Sequence, residues 1–193
     1  MDLKDWIDAD LQALSGRLAN GVVAHVPRER WRERAGAGEH PASSIAWLLL
    51  HMGYHHDLAI RTAVQEREPY LHAWRDGLGL GGMDPEAGLS EGEDPAVTAA
   101  LDLDVLLDYV VAVIGGTREW LTRVNTHAFD TVPASSWRLE HNAGVRQEVV
   151  PWLHAMWDAK PVSWFVQWEA VGHGINHVGE MIAVRGQLGL SPF

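Results

Sequence analysis

The sequence predicts an all-α fold, one domain over residues 1–193 built as a bundle of four long helices. Two observations carry this. Four segments of 20 or more residues repeat apolar side chains at three- and four-residue spacing, the stripe of a helix that packs on a core. No segment shows the two-residue alternation of a strand ladder, and there is no internal repeat. Long helices with one apolar stripe each bury it by packing together as a bundle.

The first helix is expected from about Asp2 to Ala24, with Leu3, Trp6, Ile7, Leu11, Leu14 and Leu18 on its stripe and Gly21 and Pro27 at its end. The second runs from about Ser43 to Gln65. Pro41 with Ser43 or Ser44 gives its start signal, Ile45, Leu48, Leu49, Met52 and Leu58 are its apolar residues, and Pro69 closes the region. Residues 66–100 scatter Gly, Pro and acids and read as a long irregular insertion with short helical pieces. A solvated loop is the simpler expectation for it, a cover over a site the alternative. The third helix spans about Asp102 to Val124 on Leu103, Leu106, Leu107, Val110, Val113, Ile114, Trp120 and Leu121; its Gly115-Gly116 pair is a weak point or a close-packing contact. Residues 125–160 read as irregular and rich in Trp and His. The fourth helix starts near Pro161, a favoured first-turn residue, and runs to about Leu188, where Gly189 and Pro192 stop it.

Composition narrows the chemistry. Apolar residues make up 47% and charged residues 21%, a globular balance. No apolar run approaches the roughly 18–20 residues of a membrane span. The amphipathic, acidic start resembles no targeting peptide, so a cytoplasmic location is expected. The absence of cysteine excludes disulfides, thiolate ligands and cysteine nucleophiles. A net charge of −11 without a basic cluster argues against nucleic acid and against anionic membrane surfaces. The 10 Trp suit buried or interface positions, and with an apolar second face on the fourth helix they predict a homodimer. The 11 His are ambiguous by count alone, but His is the commonest metal ligand.

Two H-x-x-x-H pairs concentrate these histidines: His51 with His55 on the second helix, and His173 with His177 on the fourth. Residues four apart share a helix face, so two imidazoles can reach one ion. Chance alone gives roughly 0.6 such pairs in a chain of this composition, so the surroundings matter more. Glu169, His173, Asn176, His177 and Glu180 fall in one polar stripe, and Trp164, Trp168, Val171, Ile175, Val178 and Ile182 occupy the opposite face. Polar groups inside so apolar a helix need partners. The competing readings are two histidines on a solvated face and, for His51, a core histidine bonded to a carbonyl. His55 is open between ligand, supporting group and rim residue. His56 is expected to face solvent, and Asp57 with Arg61 to form a surface ion pair. Glu180 orients a ligand histidine, acts as a base, or sits at the surface. Three neutral imidazoles, His51, His173 and His177, around Zn²⁺ or Ni²⁺ leave an open coordination position, the arrangement of catalytic sites.

The run Ser44-Ile-Ala-Trp-Leu-Leu-Leu-His51, the motif His173-Gly-Ile-Asn-His177-Val-Gly-Glu180 and the end Arg185-Gly-Gln-Leu-Gly189 together resemble the DinB-like (DinB/YfiT) metalloprotein superfamily. The resemblance implies an up-down-down-up four-helix bundle with one divalent ion, Zn or Ni, on one His of the second helix and the H-x-x-x-H pair of the last. It also implies an S-transferase or isomerase that uses a low-molecular-weight thiol of the mycothiol or bacillithiol type on a small-molecule substrate. His55 and His56 beside His51 depart from the pattern and put the ligand set in question. Two other functions stay open: a metal-dependent hydrolase with Glu180 or Glu169 as base, and a non-enzymatic helical binding protein.

Overall fold

A computed structural model describes residues 2–36 and 42–191. The chain is helical, with no strand among the described residues. Helix α1 (Leu3–Leu18) runs on into a π-wound turn, Ala19–Val23. A short 3₁₀ turn, Arg28–Arg30, precedes α2 (Ile45–Asp57), which continues π-wound through Leu58–Val64. The following stretch holds α3 (Tyr70–Trp74) and α4 (Pro95–Ala100), then comes α5 (Leu103–Arg123). A 3₁₀ turn, Thr126–Asp130, leads to α6 (Ser135–Ala143) and α7 (Pro151–Trp157). Finally α8 (Val162–Trp164) winds through the π segment Phe165–Gly172 into α9 (His173–Gln187).

The ends of the long helices follow local chemistry. Asp2 caps α1 in a reciprocal box with Asp5: its carboxylate accepts the Asp5 N–H at 2.9 Å while its own N–H donates to the Asp5 side chain. At α2 the capping residue is Ser44, whose hydroxyl oxygen accepts the Trp47 N–H and donates in turn to Glu93 at 2.9 Å. Asp102 starts α5 by accepting the N–H groups of Asp104 and Val105. Gly189, at φ 75°, ends the last helix in the left-handed region. The expected signals Pro41 and Pro192 lie outside the described residues.

Side-chain pairs give the sense of each neighbour. Lys4 reaches the carbonyls of Thr122 and Val124 while Asp8 binds Arg118, so α1 and α5 are antiparallel. Leu14 packs at Gly174 and Ile182 at Gly21, so α1 and the fourth helical segment run the same way. His51 meets His177 and His55 meets His173, so α2 opposes α9. It follows that α2 and α5 point in the same direction. Both α1 and α2 pack on both α5 and α9. Parallel neighbours cannot be joined by a tight turn, and residues 65–102 are the return path.

That path departs from the expected solvated loop. Leu71, Leu78, Leu80 and Leu89 are fully buried, and α3 and α4 punctuate it. Its leucines sit between glycines at no fixed spacing and so have no period to detect. Residues 125–160 likewise hold α6 and α7, with Leu139, Leu153 and Trp157 buried; helices this short carry barely two turns of pattern. Gly116 is a close-packing contact, since an added Cβ would strike the Tyr70 hydroxyl. At the start of α1 the stripe overhangs the core: Trp6 is 63% exposed and Leu3 is exposed as well. No helix among the described residues is long and apolar enough to cross a membrane.

Candidate metal centre

Where α2 and α9 cross, four imidazoles meet in the interior. The His51 ring lies 4.9 Å from His177 and 5.1 Å from His173, centroid to centroid, and the last two are 4.3 Å apart. One nitrogen of each falls within 4.8 Å of the others, and all three residues are buried. The polar stripe of the last helix thus turns inward at His173 and His177, while Asn176 and Glu180 stay exposed. Trp168 and Ile175, expected opposite the stripe, form a partly exposed flank. Two π segments, Leu58–Val64 and Phe165–Gly172, adjoin the histidine pairs and pack on each other. Such turns are rare and gather at functional sites.

Hydrogen bonds select the nitrogen that His51 and His177 offer. His51 Nδ1 lies 3.0 Å from the Gly88 carbonyl, which only accepts, so Nδ1 carries the hydrogen and Nε2 keeps its lone pair. That Nε2 is buried and has no hydrogen-bond partner among the described residues. His177 Nδ1 donates to Glu180 at 3.0 Å, freeing its Nε2, which sits 2.9 Å from His173 Nε2. With His177 Nε2 as acceptor, His173 Nε2 donates that bond, and moving this hydrogen to Nδ1 turns a third lone pair inward. Donors on a tetrahedral zinc ion at about 2.0–2.1 Å stand about 3.3 Å apart, a spacing that ring nitrogens within 4.8 Å of one another can take up. Burial pushes the His51 imidazole down to about 2, and lowers His173 in the same direction, with the neighbouring imidazoles adding to both shifts. Both rings are therefore neutral at pH 7, the form that binds metal.

Against His51 and His177 opens a cleft of about 270 Å³ with Trp47, Leu48 and Val184 on its walls and Glu91 and Glu180 among its lining residues. Larger hollows lie at Arg28–Asp104, at Lys4–Arg118, beside Trp6 and Phe129, and beside Met83 and Val149, and none of them is lined by His51, His173 or His177. Glu180, with a side chain 55% exposed, lines the cleft and bonds His177 Nδ1.

Three supports escaped the sequence. Gly88 and Leu89 present carbonyls to His51 and His55, and Trp157 donates to Glu169 at 2.7 Å. Carbonyls carry no residue signature. Gly88 alone could have signalled: its φ is 97°, and a Cβ there would meet Leu50 at 2.9 Å.

Two expectations are corrected. His56 does not face solvent; it is buried against α5 and hydrogen-bonds Thr117 Oγ1 at 2.8 Å. Asp57 is not in a surface ion pair either. It is buried, accepts the N–H groups of Tyr70 and Leu71 and the Tyr109 hydroxyl, and burial pushes its carboxyl up to about 6. Arg61 instead donates to the Glu68 carbonyl and stacks on Tyr70. In both cases α2 is buried all round, so an angle on the wheel does not decide exposure.

These burials set an acid response. Desolvation also lowers His56, to about 3. Three histidines thus take up protons near pH 6.5 on unfolding but resist them when folded, so their stabilisation is lost as pH falls below 6.5. Asp57 acts oppositely between 3.8 and about 6. The net is about two protons, or on the order of 3 kcal/mol per pH unit. Metal-free protein is expected to lose most of its stability between pH 6 and 4 in urea titrations; an unchanged midpoint from pH 7 to 4.5 would contradict this.

No family model matches the chain, and no curated protein matches it. Among solved structures it is similar to a conserved protein from Enterococcus faecalis, at a TM-score of 0.62 and 18% identity, over 96% of this chain and 99% of that one. At that identity the likeness speaks for the fold alone.

Proposed function

We propose that this protein is a metal-dependent enzyme of the DinB-like kind, an up-down-down-up four-helix bundle with one divalent ion, Zn or Ni, on His51, His173 and His177. In this reading it joins a low-molecular-weight thiol of the mycothiol or bacillithiol type to a small electrophilic substrate. The observation that carries it is the convergence of three buried imidazole nitrogens beside an open cleft. When bound, the ion supplies Lewis acidity that lowers the pKa of a thiol or of water.

The chain's own residues do the rest. Gly88 and Glu180 hold two of the rings by their Nδ1 hydrogens, so that Nε2 faces inward. Trp47, Leu48 and Val184 present apolar walls that limit water. Among the described residues lining the cleft there is no Lys or Arg, whereas Glu91 and Glu180 are acidic. That lining favours an uncharged or cationic substrate over an anionic one.

Elemental analysis of purified protein is the first test, with about one bound Zn or Ni per chain as the minimum expected. Turnover of a panel of electrophiles is then measured with and without a thiol. Thiol-dependent turnover supports the transferase; turnover without any thiol replaces it with hydrolysis. A protein that holds no metal at neutral pH removes both.

A further inference from the structure

One helical turn along the same pair of helices, the tripod repeats. Because α2 and α9 are antiparallel, four residues forward on the first correspond to four backward on the second. That step carries His51 to His55, His177 to His173, and His173 to Glu169. These three are a second buried group whose ligand atoms fall within 4.8 Å of one another. His55 Nδ1 lies 3.4 Å from Glu169 Oε2, and His173 Nδ1 lies 3.9 Å from the same oxygen. None of the three atoms has a hydrogen-bond partner among the described residues.

The other polar atoms of these groups are committed. His55 Nε2 donates to the Leu89 carbonyl at 3.2 Å, Glu169 Oε1 accepts the Trp157 indole N–H, and His173 Nε2 faces His177. Since a carbonyl only accepts, Nε2 carries the ring hydrogen, and in that tautomer His55 Nδ1 points a lone pair at the Glu169 oxygen. Two acceptors so close in a dry interior repel, and an unmet buried acceptor costs about 1–3 kcal/mol. Trp152 stacks on His55 at 5.9 Å and Trp157 meets its edge, which shields the pair from water.

We infer a second divalent-cation site formed by His55 Nδ1, Glu169 Oε2 and His173 Nδ1, with His173 bridging the two ions. The inference rests on the first ion being held as proposed above. A bridging ring gives up its remaining N–H, the proton passes to solvent, and the imidazolate lies between two dications. The donor set of two nitrogens and one oxygen suits Zn, Ni, Co or Cu.

The test is a titration of metal-free protein with Zn²⁺, read by calorimetry and by metal content after gel filtration. Wild type is expected to hold two equivalents. Glu169→Gln, which keeps an oxygen for Trp157, is expected to hold one, and His177→Ala to lose the first ion yet keep the second. Loaded with Cu²⁺, wild type is expected to give an exchange-coupled spectrum by electron paramagnetic resonance, and Glu169→Gln an isolated-ion spectrum. One equivalent in wild type, as when a shared proton satisfies His55 and Glu169, overturns the second site; so do two equivalents in Glu169→Gln. If that single equivalent is lost in His177→Ala, the metalloenzyme reading stands alone. If wild type binds none, both fall.

Discussion

His177→Ala is expected to weaken Zn²⁺ or Ni²⁺ binding by at least about a hundredfold. Structural zinc sites with four ligands bind with roughly 10–16 kcal/mol, on the order of 3 kcal/mol per ligand, and tenfold is 1.4 kcal/mol. The nearest ring, His173, already offers its Nε2 and so does not take its place. Glu180→Ala leaves all three ligands and removes only the acceptor that fixes the His177 tautomer, so it is expected to cost about tenfold, the low end for such partners. Its half-exposed carboxylate is in part replaced by water. Both affinities are measured against a competing chelator in a Glu169→Gln background, so that one site is titrated. Equal affinity in His177→Ala would show that the ion is held elsewhere. A larger loss in Glu180→Ala than in His177→Ala would mean that the carboxylate is itself the ligand.

The four long helices were readable because each exceeds five turns with an apolar stripe, and the histidine pairs because i,i+4 spacing survives any packing. What could not be read divides by cause. His56 and Asp57 lie on a helix buried on every side, where periodicity is silent about which polar residue meets a partner. Leu71, Leu78, Leu80 and Leu89 bury a segment that has no period at all. The carbonyls that fix His51 and His55 belong to a backbone whose path only the tertiary fold decides. Glu169 stood in the polar stripe of the last helix, yet its pairing with His55 depends on the register of two helices far apart in sequence.

Asp57→Ala is expected to be the most damaging single substitution to stability, about 3–6 kcal/mol. The carboxylate accepts two backbone N–H groups at the start of α3 and the Tyr109 hydroxyl on α5, at 2.9–3.0 Å. Truncation leaves two buried donors and one part-buried donor unmet, at about 1–3 kcal/mol each and partly relieved by water, against a total of about 5–15 kcal/mol. Asp57→Asn keeps one acceptor oxygen but sets an amide N–H against a donor, so a smaller loss is expected. Urea unfolding at pH 7 with an unchanged slope reads both, and an alanine variant within 1 kcal/mol of wild type would refute the estimate. The effect should not stay local. Asp57 ties residues 70 and 71 to α2, and the same insertion supplies the Gly88 carbonyl that holds His51 Nδ1. Loosening its start frees that ring to rotate, so the folded fraction of Asp57→Asn should also bind metal more weakly although no ligand has changed.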